Sequence, residues 1–293
     1  LIAEYHYDTY VDGTAEIRGD YVLAALRDSS SESNLPGRVA LLEVHDDHLD
    51  KEKEFETNCP ALQGSFQTED YIAFACSDGI LAIKQQDNTF TENKVNYSAE
   101  IADGVQLTSL QGSEESNVII GKASTGMDLF LVDLENQTVT TFNWQQSENL
   151  TSVAYGFDGH HEHMLILDNE GHLNLYAAED NWAFEKKIDV FETLDENAMP
   201  LIVPSKAHEV IYLINGQEVT TVDLHEGKVT GHFDLTFSPG NAVWLGVAGE
   251  EAHDHADEEA HDHADEEAHD HADEEAHDHA DEEAHDHADE VTN

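Results

Sequence analysis

Short apolar runs recur along residues 1–249, each followed by Gly, Asn or Asp. They read YVLAAL from Tyr21, VALLEV from Val39, YIAFAC from Tyr71, ILAIK from Ile80, NVIIG from Asn117, LFLVDL from Leu129, HMLIL from His163, LNLYA from Leu173, EVIYLI from Glu209 and EVTTVDL from Glu218. Runs of this length, rich in Val, Ile, Leu and aromatic residues and bounded by turn formers, predict strands; no useful stretch carries a helical period. The runs also come in pairs, and the pairs repeat. Tyr71, Asn117, His163 and Glu209 open successive first runs at a spacing of 46 residues, with turn glycines following at Gly79, Gly126, Gly171 and Gly216. Tyr21 opens an earlier copy 50 residues before Tyr71, with SSSESNLPG inserted in its turn. A period in the mid-forties with several strands per unit predicts propeller blades. One small sheet cannot bury both of its faces, whereas stacked neighbours can. The expected fold is all-β, a β-propeller of five or more blades over 1–249. A β-sandwich is the other all-β solution, and the regular spacing argues against it. Residues 1–20 and 233–249 read as leftover strands of incomplete blades, and a chain opening at Leu1 rather than Met reads as processed or truncated.

Residues 250–289 change the pattern altogether. One octapeptide, Glu-Glu-Ala-His-Asp-His-Ala-Asp, is written five times, with no aromatic residue to bury. Such a segment cannot repay the entropy of ordering, so 250–293 is expected to be a disordered low-complexity tail. Its chemistry is that of a metal collector. Neutral imidazole and carboxylate are ligands for first-row metals, and in an extended His-Asp-His the two imidazoles lie on one side. The candidate ligands are His253, Asp254 and His255; His261, Asp262 and His263; His269, Asp270 and His271; His277, Asp278 and His279; and His285, Asp286 and His287. Zn²⁺ suits this set, and Cu²⁺ or Ni²⁺ would bind the same atoms. The plainer reading is a solubilising acidic bristle.

Charge narrows the partners. The formal net charge is −52; 21 of the 64 acidic residues fall within 250–290, so the other 43 face all 12 Lys and Arg in the body. Such a surface repels phosphate backbones and anionic lipid, which argues against nucleic-acid and membrane-surface binding. No apolar run is long enough for a membrane-spanning helix.

Within the body, GHHEH at 159–163 offers His160, His161 and His163, with His161 and His163 expected on one strand face. HDDH at 45–48 sits at a turn, where Asp is common for backbone reasons. His6, His172, His208, His225 and His232 are scattered singly. No nucleophile elbow, phosphate-binding glycine loop or His-Glu-x-x-His motif occurs, so no enzyme is expected. The two cysteines, Cys59 and Cys76, span a loop that a disulfide would stabilise by roughly 3 kcal/mol. An isolated bonded pair fits an oxidising compartment such as a periplasm; two buried thiols in a cytosolic protein are the other reading.

The segment NCPALQGSFQTEDYIAFACSDGILAI (58–83) resembles a stretch of the AztD-type periplasmic zinc metallochaperones, β-propellers in which a Cys-Pro-x-Leu-His-Gly turn leads to a strand ending in a second Cys. GDYVLAAL (19–26), LTSLQGSEESNVIIGK (107–122) and LIVPSKAHEVIYLINGQEVTTVDLHEGKV (201–229) are similar in order and spacing. The resemblance implies a Cys59–Cys76 disulfide, a periplasmic location, missing N-terminal blades, and delivery of zinc to the solute-binding protein of a zinc importer. Two positions depart from the family. Gln63 stands in place of a His, and Val11-Asp12-Gly13 in place of His-His-Gly. Glutamine is a poor zinc ligand, so only Asp12 keeps a ligating side chain there. The expected function is a monomeric zinc metallochaperone or zinc buffer. The alternative is a propeller scaffold for protein partners with a passive tail.

Overall fold

The computed structural model describes residues 3–98, 101, 104–124, 128–195 and 197–246. Among them are twenty strands in five four-stranded antiparallel sheets, each built from consecutive strands. The first sheet holds β1 (Ala15–Arg18), β2 (Tyr21–Leu26), β3 (Arg38–Val44) and β4 (Leu49–Glu54). The second holds β5 (Ser65–Gln67), β6 (Tyr71–Cys76), β7 (Gly79–Gln86) and β8 (Thr89–Asn96). The third holds β9 (Leu107–Gln111), β10 (Val118–Ala123), β11 (Leu129–Asp133) and β12 (Thr138–Thr141). The fourth holds β13 (Ser152–Phe157), β14 (His163–Asp168), β15 (His172–Ala177) and β16 (Ala183–Asp189). The fifth holds β17 (Leu201–Pro204), β18 (Val210–Asn215), β19 (Glu218–Asp223) and β20 (Lys228–Asp234). The chain is a β-propeller. β1 and β20 complete the first and fifth sheets, so Ala15–Arg18 and Phe233–Asp234, read as parts of incomplete blades, belong to whole ones.

Alternation within the second strands explains why their sequences are apolar without a break. In β6, Ile72, Phe74 and Cys76 pack with Leu23, Ala25, Val39 and Leu41 of the first sheet, while Tyr71, Ala73 and Ala75 pack with Leu107, Ile119 and Val132 of the third. In β14, Met164 and Ile166 face the third sheet, and Leu165 and Leu167 pack with Ile211 and Leu213 of the fifth. A strand covered on both faces loses the polar half of its pattern. Outer strands such as β4 (LDKEKE) keep theirs.

Cys59 and Cys76 form a disulfide that ties the β4–β5 connection to the end of β6, with Cα atoms 4.8 Å apart and both residues fully buried. Replacing both by Ala is expected to cost about 3 kcal/mol, because the unfolded chain regains the freedom of the closed loop. Urea unfolding of the oxidised protein and the double variant measures this. Equal midpoints would show that the bridge adds nothing.

A meander alternates its turns between two ends, so the first–second and third–fourth hairpins of a sheet emerge together. Neighbouring sheets set first strand beside first strand (β1 with β5, β5 with β9, β13 with β17) and fourth beside fourth (β8 with β12, β16 with β20). These hairpins therefore share one face, and His45, His48, His160, His161, His163, His208 and His225 all lie on or beside their turns.

Candidate metal centre on the hairpin face

The loop between β13 and β14 is organised by Asp158, which is 5% exposed. Its amide donates to the His163 carbonyl (3.1 Å) and its carboxylate accepts from the Glu162 amide (2.9 Å), the His163 amide (3.1 Å) and His163 Nδ1 (2.8 Å). Gly159 follows because a Cβ there would meet the carbonyl oxygen of Ser205, in the turn between β17 and β18, at 1.8 Å. With Nδ1 held by Asp158, His163 turns Nε2 outward, where it lies 2.9 Å from Glu185 Oε2. Glu185 reaches it through a bulge. Leu175 pairs with Lys186 and Tyr176 with Phe184, which leaves Glu185 as the extra residue, and bulges re-aim side chains in this way.

Asp158, Glu162 and His163 bring ligating atoms within 4.8 Å of one another. The Asp158 hydrogen bond raises the His163 pKa above the ordinary histidine value; partial burial opposes this, and the charges of Asp158 and Glu185 add to it. Glu162 and His163 also border a cavity of about 600 Å³ between the third and fourth sheets. Its lining includes Glu115, Asp133, Glu135 and Glu179 and has neither Lys nor Arg among the described residues. A carboxylate-fixed imidazole facing further carboxylates is an arrangement found at metal centres, where the carboxylate sets the tautomer and Nε2 binds the ion. Here Asp158 would orient the ring and Nε2 would bind the ion; Glu162 lies in the cluster with Asp158, and Glu185 reaches Nε2 from outside it. Imidazole and carboxylate together fit Zn²⁺, which must displace the Nε2 proton.

That proton also contributes to stability in the absence of metal. A folded-state pKa above the unfolded value of about 6.5 gives stability that is complete below that value and is lost as pH rises through the folded pKa. With chelator present, His163→Gln is therefore expected to destabilise the protein more at pH 6 than at pH 8.5. Urea unfolding at the two values checks the sign, and an equal or reversed gap would contradict it.

The other sequence candidates fall into place around this centre. His160 is exposed in the same loop and makes no side-chain hydrogen bond among the described residues. His161 does not share a strand face with His163: β14 begins only at His163, and His161 sits in the turn with φ of 62°. Its ring lies over Phe157, with centroids 5.5 Å apart, and Nδ1 is 2.9 Å from the Gly112 carbonyl. Asp12 is exposed beside the first sheet, with its amide donating to Asn34, and does not join the cluster. Gln63 is exposed. The tail candidates from His253 to His287, including Asp254, Asp262, Asp270, Asp278 and Asp286, lie outside the described residues. Sequence reasoning missed Asp158 and Glu185. The first stands two residues before His160 as the opening residue of the hairpin loop, a place where Asp commonly accepts backbone amides. The bulge that delivers the second leaves no trace in the sequence.

Fold and centre together define the class: a β-propeller with a carboxylate-rich, histidine-bearing hairpin face. Among solved structures, two of AztD from Citrobacter koseri, one of them the apo protein, overlay on the chain with a TM-score of 0.60 and 18% sequence identity, covering 82% of this chain and 63% of that one. The chain thus spans somewhat under two thirds of the AztD length. The Cps50 (Swd1) β-propeller domain of Myceliophteria thermophila overlays with a TM-score of 0.41 and 12% identity, over 77% of this chain and 73% of that one. No protein-family model matches the sequence, and no curated protein does. No helix among the described residues is long and apolar enough to cross a membrane.

Proposed function

We propose that this protein binds zinc in the periplasm and hands it to the solute-binding protein of a zinc importer, acting as a metallochaperone or zinc buffer. The observation that carries the reading is His163, oriented by Asp158 and presented to Glu185 beside a cavity lined with carboxylates. Three further points support it. The tail holds ten histidines in His-Asp-His pairs. The cysteine segment resembles that of zinc metallochaperones, and the fold is that of AztD. The buried disulfide suits an oxidising compartment.

In this reading the tail gathers Zn²⁺, because tethered copies raise the local concentration of ligands. The acidic hairpin face then draws the ion toward His163. There is no covalent chemistry; release depends on exchange of ligands and on protons returning to imidazole. The test is transfer. Zinc-loaded protein is mixed with the metal-free solute-binding protein of a zinc importer, and metal movement is followed against a chelator that measures spontaneous release. Movement faster than release is the expected result. Movement no faster than release would remove the delivery role and leave a buffer.

A further inference from the structure

We propose a second zinc site on the propeller, at the β3–β4 hairpin, with His45 and His48 as nitrogen ligands and Asp50 and Glu43 as oxygen ligands. It stands on its own geometry and does not depend on the His163 centre. The hairpin turns on Asp46 and Asp47: Val44 pairs with Leu49, Glu43 with Asp50, and the His45 amide donates to the His48 carbonyl (2.9 Å). Side chains alternate across a strand, so this register puts Glu43, His45, His48 and Asp50 on one face. Leu49 goes to the other face and packs with Ala24, Ala40 and Leu42. A register slip of one residue would scatter the four groups, and the half-buried Leu49 opposes such a slip.

Asp50 stands between the two rings, and Glu43 lies beside one of them. Asp50 Oδ2 lies 3.7 Å from His45 Nε2 and 3.6 Å from His48 Nε2, and Glu43 Oε2 lies 3.7 Å from His45 Nε2. Ligands at zinc bond lengths on a tetrahedron stand about 3.3 Å apart, so each of these separations is within roughly half an ångström of a coordination edge. The two exposed rings flank the Asp50 carboxylate with centroids 5.3 Å apart, and a bound ion would draw both Nε2 atoms toward it. Asp47 completes the likeness to the His163 centre. Its carboxylate lies 2.9 Å from His48 Nδ1 and so leaves Nε2 for metal. Lys51, the next residue on β4, pairs with Glu54 and not with this group. The hairpin is braced from behind, where the Leu49 amide donates to the Glu4 carbonyl and Glu4 bridges to His48.

The sequence supplies a clean test in the intact chain. Trypsin cleavage after Arg38 and Lys51 releases residues 39–51, whose only histidines are His45 and His48. The full-length protein is carbethoxylated at pH 7.5 with and without Zn²⁺ in excess over all 20 histidines, so that the tail cannot withhold the ion, and modification is read by mass spectrometry. Zinc is expected to slow modification of both His45 and His48 by about tenfold, and Asp50→Asn is expected to abolish most of that protection. His225, an exposed histidine that faces the single carboxylate of Glu209, serves as the reference. Circular dichroism of the variant shows that the fold is kept; Asp50 is exposed and leaves no buried partner. Protection of His45 and His48 no greater than that of His225 would overturn the site. So would equal protection in the protein and in Asp50→Asn, because each imidazole would then be binding zinc alone.

Discussion

Replacing the ten tail histidines with asparagine in the full-length chain is expected to remove most of the protein's zinc capacity. The five His-Asp-His units offer ten imidazoles. At two to four nitrogens per ion this gives about two to five zinc ions per chain, against one for each propeller centre. Asparagine keeps the length, the acidic charge and the polarity, so an electrostatic contribution from the carboxylates would survive the change while ligation would not. Equilibrium dialysis near pH 7.5 compares the two proteins. The tail's share should also fall as pH drops toward 6, because neighbouring carboxylates favour protonated imidazole. Equal capacity in both proteins would mean that the tail is not the collector.

Trp182→Ala is expected to be the most damaging single substitution in the propeller, at about 3–5 kcal/mol. Trp182 is 1% exposed and sits between the third and fourth sheets with Phe142, Phe157 and Met164. Its ring meets Phe157 edge-on at 5.6 Å, and its indole N–H donates to the Val118 carbonyl (2.7 Å), crossing from one sheet to the next. Truncation loses the apolar burial and leaves a cavity at this junction. Trp182→Phe keeps a ring and should cost much less, since Ser116 Oγ also donates to Val118. Because Asn181 and Ala178 border the acidic cavity, the Ala variant should loosen the His163 centre as well. Urea unfolding supplies the first number. A loss below about 1 kcal/mol would show that the sheets do not depend on this contact.

The second strands were legible because burial on both faces writes an unbroken apolar run. The 46-residue spacing placed Tyr71 and His163 at the first residues of β6 and β14, and Asn117 and Glu209 one residue before β10 and β18. The first and fourth strands were harder to see. β20 (KVTGHFD) is exposed along nearly its whole length, and β1 (AEIR) has no buried residue, so neither carries a core pattern. The metal chemistry divided in the same way. GHHEH marked the loop, but which of its histidines is held in place depends on Asp158 and on a bulge in β16, both matters of register. HDDH looked like an ordinary turn. Only the pairing of Glu43 with Asp50 shows that two carboxylates share its face.

The central claim is that an imidazole fixed by a carboxylate on the hairpin face holds zinc. It is tested most directly in the full-length protein whose ten tail histidines are asparagine, with and without His163→Ala. Equilibrium dialysis at pH 7.5 should show uptake lower by about one zinc per chain when His163 is absent. Identical uptake by the two proteins would contradict the account.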